Sequence, residues 1–457
     1  MSLRILFTTP PIGEIVEPIY DKPKFTRASI AYLAGFLRES GDFEIKCTDA
    51  KFEQKNTEKL IDEISFFKPN IIAISAYTYE IEDVIILAKK IKEIFPYILI
   101  VLGGSHVTAI PRQTMEEISE IDIGVIGEGE NPIVEICKNF SNKENFVNIS
   151  SIAFRNKENQ IIINKKNENI NMRSVASPAW DLFPRAEEYF IQTSKGCPFN
   201  CNFCLNPSGN IIRTRSVDSV IKEISFLIEN FKPKRISFGD EVFAANKKFT
   251  HELLDKMIAL NIGDKVSWNI QTHVKFIDDR LLSKMKKAKV KKVDVGVESG
   301  DKEILEKMGK MITKEDVVKV FTLLKKYKIK SGAFFIIGHP NETKKTIWET
   351  IKFAAEINPT EPIFAIAVPF PGTKIAEYAL RGEMGYKNLS LKWSTYRKQI
   401  NSAVELVGIS KNKLKLYLVV GNIYVFIYNL RFFDLIKFAF NYRKSVLSFL
   451  KNINSSY

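Results

Sequence analysis

The chain has 457 residues and a formal net charge of +14, with 45% apolar and 26% charged side chains, enough apolar material for about three packed domains at roughly 150 residues each. That balance excludes a disordered tail or a coiled-coil rod. The lack of an unbroken apolar run of about 18 residues, and an N-terminus that enters a strand pattern at once, speak against a spanning helix or an export signal.

From Arg4 to Phe140, strand-like runs alternate with amphipathic helical stretches, the pattern of a parallel sheet with helices on both faces. Strands are expected at Arg4–Thr9, Phe43–Thr48, Ile71–Ser75, Ile98–Leu102 and Ile121–Ile126. Between the third and fourth, Ile81, Val84, Ile85, Ala88, Ile91 and Phe95 recur at helical spacing and mark a buried face. Residues 1–140 therefore read as a Rossmann-like α/β domain. Its post-strand loops are Ser75-Ala76-Tyr77-Thr78, Gly103-Gly104-Ser105-His106 and Gly127-Glu128-Gly129-Glu130, all on the carboxyl edge where open sheets of this kind bind ligands. No G-x-G-x-x-G follows the first strand, where Thr9-Pro10-Pro11-Ile12-Gly13 stands, which disfavours a dinucleotide.

Residues 141–185, rich in Asn, Lys and Glu, read as a structured linker with a hairpin-like pair at Ile149–Arg155 and Ile161–Asn164. Over residues 186–375 the alternation restarts, with strand-like runs at Phe190–Thr193, Arg235–Phe238, Ser267–Gln271, Lys292–Gly296, Ser331–Ile337 and Glu361–Val368. Six β/α repeats are too few to close an eight-stranded barrel, so a partial, open barrel is expected. Residues 376–457 read as a C-terminal helical region, aromatic and basic from Leu414 to Leu450. Its most apolar run, Leu416 to Leu430, is short and broken by Gly421 and Asn422, so it reads as a packed cap, with an interfacial membrane helix as the alternative. This region holds 13 Lys and Arg against 4 Asp and Glu, or +9 of the total +14. Nucleic acid, an anionic membrane surface or an acidic substrate would each suit it, and a compositionally biased genome would produce it without any partner.

The five cysteines are an odd count. Cys47 and Cys137 stand in strand and helix contexts and read as core residues. Cys197, Cys201 and Cys204 crowd into Lys195-Gly196-Cys197-Pro198-Phe199-Asn200-Cys201-Asn202-Phe203-Cys204. A disulfide framework does not fit, and the cluster points to metal in a reducing compartment. Three thiolates in a C-x3-C-x2-C segment suit a four-iron cluster with one iron left for a non-protein ligand. Structural zinc would need a fourth ligand, and His106, His251, His273 and His339 are all distant in sequence.

This segment, after the first strand of a partial (β/α)6 barrel, resembles the signature of the radical S-adenosylmethionine (SAM) superfamily. The resemblance implies a [4Fe-4S] cluster on Cys197, Cys201 and Cys204 whose open iron is chelated by SAM, the cofactor then being cleaved to a 5′-deoxyadenosyl radical. Phe203 matches the aromatic residue whose backbone approaches adenine, and Gly239-Asp240-Glu241 resembles the Gly-Gly-Glu segment for the SAM amino group, departing from it at Asp240. Asn269, Gln271, Glu298 and Ser299 (within Gly296-Val297-Glu298-Ser299-Gly300), Gly338 and Phe370 stand at strand ends where the family contacts ribose and methionine.

A Rossmann-like domain ahead of such a barrel resembles the cobalamin-binding domain of class B radical SAM enzymes. Thr9, Asp49, Ser75, Tyr77, Thr78, Gly103, Gly104, Ser105, His106, Gly127, Glu128, Gly129 and Glu130 are the cobalamin-contact candidates the resemblance implies, with glycines admitting a bulky corrin. The usual D-x-H-x-x-G cobalt-ligand motif is missing: Lys51 stands in the His position after Asp49, so cobalamin without His ligation is expected, and His106 is read as a peripheral contact.

The implied activity is a cobalamin-dependent methyl transfer from SAM to an unactivated carbon or a phosphinate phosphorus, one SAM charging the cobalamin and a second yielding the radical. A cyclase or other C–C bond-forming enzyme is the rival within the class, and a non-catalytic cluster-binding maturation protein the rival outside it. Expected partners are a small-molecule, lipid or peptide substrate and a reductant such as flavodoxin or ferredoxin. The C-terminal region is the place for peripheral membrane contact, no nucleic acid is expected, and the cytoplasm is the expected location.

Overall fold

The computed structural model describes residues 2–12, 23–166, 169–397 and 403–441; Gly13 and the tail from 442 on, both named above, lie outside the described residues. The chain divides into two units, Met1–Gly196 with Leu205–Gly239, and Cys197–Cys204 with Asp240–Tyr457.

In the first unit, runs of Ile, Leu and Val form strands β1 (Leu3–Thr8), β2 (Phe43–Thr48), β3 (Ile71–Ser75), β4 (Leu99–Gly103) and β5 (Ile123–Val125), all parallel. β2 and β3 fall where the sequence placed them, and the other three shift or shorten by a residue or two. The spatial order is β2-β1-β3-β4-β5, an open doubly wound order that reverses between β1 and β3 and opens a crevice at their carboxyl ends. Helix Ile81–Ile94 buries Ile81, Val84, Leu87, Ala88 and Ile91, while Ile85 and Phe95 sit half-buried at the margin of that stripe.

The hairpin-like pair expected after 141 is present, and it joins the first sheet. β6 (Ile152–Arg155) and β7 (Ile161–Ile163) add antiparallel to β5 and complete seven strands. Ile152, Ala153 and Phe154 are buried, so this hairpin covers an edge that would otherwise expose unpaired backbone. The same unit holds β8 (Glu188–Ile191), a two-residue antiparallel ladder of β9 (Ser194–Lys195) and β10 (Arg213–Thr214), and β11 (Arg235–Phe238), parallel to β8.

The second unit continues the β/α alternation with β12 (Ser267–Thr272), β13 (Lys292–Glu298), β14 (Lys330–Ile337) and β15 (Glu361–Ile366), parallel and in sequence order. All six expected β/α repeats are therefore present. β13 and β14 slip register between Gly296 and Glu298, and Glu298 takes a left-handed φ of 69°, a bulge that re-aims one side chain. The C-terminal region is helical, Lys411–Tyr428 and Phe432–Asn441, but also carries an antiparallel pair, β16 (Tyr386–Leu389) and β17 (Val404–Leu406). Helix Lys411–Tyr428 buries Leu414, Leu418, Gly421, Asn422, Val425 and Phe426 and packs on β15 and helix Lys344–Ile357. Gly421 is a contact point rather than a break: a methyl group there would meet the Phe364 ring at 3.0 Å. No described helix is long and apolar enough to cross a membrane.

Candidate active site

In the first unit, a cavity of about 750 Å³ opens at the carboxyl ends of β1, β3, β4 and β5. Of the cobalamin-contact candidates, Asp49, Ser75, Tyr77, Gly103, Gly104, Gly127, Glu128, Gly129 and Glu130 line it, and so does Gly239. Thr9, Thr78, Ser105 and His106 do not. Thr9 stands behind the wall, its hydroxyl donating to Asp49 Oδ1 at 3.0 Å. His106 is buried, which pushes its imidazole down to about 4. Gly104 is required where it stands: with φ 116°, a β-carbon would lie 2.2 Å from the Ala76 carbonyl.

Charged side chains of this cavity answer one another. Glu80 accepts both Arg27 guanidinium nitrogens at 2.9 and 3.0 Å and Lys51 Nζ at 2.6 Å. Burial alone would raise the Glu80 carboxyl, yet Arg27 and Lys51 hold it down to about 2. Arg27 lies 4.3 Å over the Tyr77 ring and Lys51 5.4 Å from that of Tyr79. Glu130 takes Lys195 Nζ at 2.7 Å, and Glu128 takes both terminal nitrogens of Arg213. The wall also includes Phe190, Ile191, Gln192 and Lys195, the strand and turn that lead into Cys197. Tyr32 pins that turn: its hydroxyl accepts the Gln192 amide at 2.8 Å and donates to Glu223, which also takes Trp180 Nε1 and Arg215.

In the second unit, the cysteine loop is buttressed by the turn after helix Lys302–Met308. Asn202 N donates to the Met308 carbonyl at 3.0 Å, Asn202 Nδ2 to that of Lys307 at 2.7 Å, and Cys201 Sγ lies 4.0 Å from the Gly309 carbonyl. The Phe199 ring stacks on His273 at 3.9 Å, and the His273 Nε2 pairs with the Lys310 carbonyl at 3.2 Å. His339 Nε2 lies 3.0 Å from Asn202 Oδ1, with Phe203 edge-on to its ring. Cys197 and Cys201 are half-buried and Cys204 is exposed. Burial raises the thiols of Cys197 and Cys201, the latter to about 11; Cys204 acts on both as like charge and Lys310 as opposite charge, with Glu241 adding to the like charge at Cys197 and Glu298 to that at Cys201.

The SAM-contact candidates of this unit divide. Glu298 Oε1 pairs with Lys310 Nζ at 2.7 Å, both almost fully buried. Asn269 is buried, and its Oδ1 accepts no hydrogen bond among the described residues. Gln271 is exposed, Glu241 and Phe370 are half-buried, and Asp240 is buried. Gly338 takes φ 84°, its amide tied to Glu342. Ser299 is committed to the framework: wholly buried, its hydroxyl pairs with Thr350 at 3.0 Å and accepts the Asp301 amide at 3.1 Å.

Residues 191–354 match the model of the radical SAM superfamily, and residues 22–137 that of the B12-binding domain. An uncharacterized methyltransferase of Pyrococcus horikoshii, PH0819, is 32% identical over 409 residues, covering 86% of this chain and 86% of its own length. The chain belongs to the cobalamin-binding, class B radical SAM family. Another relative of this class B enzyme is the anaerobic magnesium-protoporphyrin IX monomethyl ester cyclase of Cereibacter sphaeroides, 30% identical over 364 residues, which are 76% of this chain and 59% of the cyclase. Two solved structures share its fold. The methyltransferase TsrM of Kitasatospora setae, solved with cobalamin and a [4Fe-4S] cluster, gives a TM-score of 0.70 at 18% identity over 83% of this chain and 78% of its own. OxsB, solved with aqua-cobalamin and SAM, gives 0.71 at 15% identity over 91% of this chain and 66% of its own.

The residues present fit the cofactors of a class B enzyme, which are a [4Fe-4S] cluster, SAM and cobalamin. Among the described residues no three His, Cys, Asp or Glu side chains converge on one metal ion. Thiolates sharing a polynuclear cluster each bind a different iron and stand further apart than ligands of a single ion, so the donor set suits a cluster. The unanswered Asn269 Oδ1 suits a ligand that brings its own donor, and the Gly104 cradle suits a close, bulky ring.

Sequence reading missed Arg27, Glu80, Lys195, Arg213 and Lys310. The short spacing from Tyr77 to Glu80 was a usable signal, since the Tyr77 amide donates to Glu80 Oε2 at 2.7 Å. Lys310 carried none, because it stands in the turn between helices Lys302–Met308 and Lys314–Lys326, among charged residues that read as solvated surface.

Proposed function

We propose that this class B enzyme is a methyltransferase that moves a methyl group from SAM, by way of bound cobalamin, to an unactivated carbon or a phosphinate phosphorus of a small-molecule or lipid substrate. The observation that carries it is the cavity of the first unit: one wall is the glycine edge of the Rossmann-like sheet, and the other is the Phe190–Gln192 strand end and Lys195, leading directly to Cys197. The name of the Pyrococcus relative supports methyl transfer over its rivals. Cys197, Cys201 and Cys204 would hold the cluster; Phe203, Asn269, Glu298 and Gly338 would receive SAM; Ser75, Tyr77, Gly103, Gly104, Gly127 and Gly129 would seat the corrin.

When bound, these groups supply a 5′-deoxyadenosyl radical and a transferable methyl. The chain's own work is to place and shield. The glycine loops bring backbone amides and carbonyls close to a large ring. Arg27, Lys51 and Glu80 satisfy one another, so Lys51 Nζ is engaged as a donor and offers cobalt no lone pair. Tyr32 and Glu223 fix the turn before the cysteines, and the Lys307–Gly309 carbonyls hold Asn202 and Cys201 of the loop. A low-potential reductant such as flavodoxin or ferredoxin would deliver electrons at the exposed Cys204 side.

Anaerobic reconstitution with iron, sulfide and hydroxocobalamin, followed by incubation with SAM and dithionite, tests the reading. We expect retained cobalt and both S-adenosylhomocysteine and 5′-deoxyadenosine among the products. Loss of cobalt overturns it, and 5′-deoxyadenosine without S-adenosylhomocysteine favours ring formation without methyl transfer, the second reading that the cyclase relative supports.

A lipid substrate would bring the C-terminal helices to a membrane surface. Leu430, Phe432, Phe433, Ile436 and Phe440 are exposed there. Because helix Lys411–Tyr428 is packed, the test is Phe433→Ser rather than deletion from Leu414: it should reduce cosedimentation with anionic vesicles, and unchanged cosedimentation would remove this contact.

A further inference from the structure

Resting on the reading of Cys197, Cys201 and Cys204 as cluster ligands, we infer that Lys310 is the cation that sets the reduction potential of the cluster, with Glu298 as the counter-charge that trims it. Neither residue ligates iron; both act through space on the thiolates.

The placement is geometric. Lys310 follows Gly309, whose carbonyl lies 4.0 Å from Cys201 Sγ, and Met308, whose carbonyl takes the Asn202 amide at 3.0 Å. The Lys310 carbonyl is itself tied to His273 Nε2 at 3.2 Å, and His273 stacks on Phe199 of the cysteine loop. Backbone and ring contacts thus hold this residue against the middle of the loop, from Phe199 to Asn202. Its side chain turns inward to Glu298, with 9% and 7% of the two side chains exposed. Gly296 leaves the space for the pair: a β-carbon there would meet Glu298 Oε1 at 2.4 Å and Lys310 Nζ at 2.7 Å. The bulge at Glu298, with its left-handed φ of 69°, aims the carboxylate at this point.

The two charges do not act equally. Lys310 bears on both Cys197 and Cys201, and on Cys201 more strongly than Glu298 does. The Glu298 carboxylate, 2.7 Å from Nζ, keeps Lys310 a cation despite its burial. A fixed cation at low dielectric stabilises a cluster that gains an electron, so it raises the potential. No proton transfer is involved: one electron enters from an external donor and the charge of the pair is unchanged.

The test is a potentiometric titration of the anaerobically reconstituted full chain with dithionite, read by EPR beside iron content. Lys310→Met should shift the midpoint downward by about a tenfold change in the one-electron equilibrium, or about 59 mV, while Lys310→Arg stays near the unsubstituted protein. Glu298→Gln should shift it upward. Should Lys310→Met fail to hold iron, Lys310→Met combined with Glu298→Gln leaves no unpaired buried charge, and it should lie below Glu298→Gln alone by the same shift. Equal midpoints in variants that retain about four irons overturn the inference. An unsubstituted chain that binds no iron overturns the cysteine reading itself, and that failure is distinguishable because it appears before any substitution.

Discussion

The cavity of the first unit and the cysteine surroundings of the second treat polar groups in opposite ways. In the cavity, Glu80 is answered by Arg27 and Lys51, Glu128 by Arg213, Glu130 by Lys195, and Asp49 by Thr9. Beside these paired charges the cavity is lined by glycines, small side chains and aromatic rings, and Thr26 Oγ1 is buried there with no hydrogen-bond partner among the described residues. Around the cysteines, Asn269 Oδ1, His339 Nδ1 and Glu342 Oε1 are buried with no hydrogen-bond partner among the described residues. A wide ring is held by shape and backbone, which need only room; a small charged nucleoside needs explicit donors and acceptors.

Substitutions can break that contrast. Cys201→Ser should bring iron content and SAM cleavage below detection while leaving retained cobalt unchanged; loss of cobalt as well would mean that the two regions are not separately built. Glu80→Gln strands Arg27 and Lys51 without their counter-charge and should cost about 3 kcal/mol in chemical denaturation, with iron content unaffected.

The unanswered side can be sharpened by pH. Burial lifts the Glu342 carboxyl from its ordinary 4.5 to about 8, against the pull of the Gly338 and His339 amides. Between those values the native chain keeps a proton that the unfolded chain has released, so this residue's contribution falls as pH rises from about 4.5 to about 8 and is flat above. Glu342→Gln should therefore be more stable than the unsubstituted chain at pH 8, with the difference vanishing below about pH 4.5, as urea midpoints would show. The smallest effect is expected at Asn269. Asn269→Leu removes an unsatisfied acceptor and should stabilise the cofactor-free chain by about 1 kcal/mol, while weakening SAM binding measured by calorimetry.

Legibility followed the same divide. The cysteine spacing is local, so three residues and their neighbours announced their chemistry in ten positions. The parallel strands were readable because Ile-rich runs such as Ile71–Ser75 have no other use. The hairpin β6–β7 was readable as a pair of strands, but its addition to the first sheet was not, because β6 pairs with β5, which lies outside the hairpin's own stretch of sequence. Ser299 matched a motif yet faces Thr350, since a motif records which residue is present and not which neighbour reaches it first. The ion pairs of Glu80 and Lys310 were not legible: Glu80 meets Arg27 and Lys51, 53 and 29 residues away, and the Lys310–Glu298 pair, 12 residues apart, forms where a bulge re-aims Glu298.

The path of the backbone has a consequence for how the protein is made. The cysteine segment is an excursion of the chain into the second unit, entered from and returning to the first, and Cys201 is separated by 108 residues from the Gly309 carbonyl beside it. At a synthesis rate of about 5–20 residues per second, the thiols emerge from the ribosome roughly 5 to 20 s before their buttress exists. During that interval they are open to oxygen and to stray metal ions, so the yield of cluster-competent enzyme is decided partly at translation. Slowing synthesis under air should lower it more than slowing synthesis without oxygen.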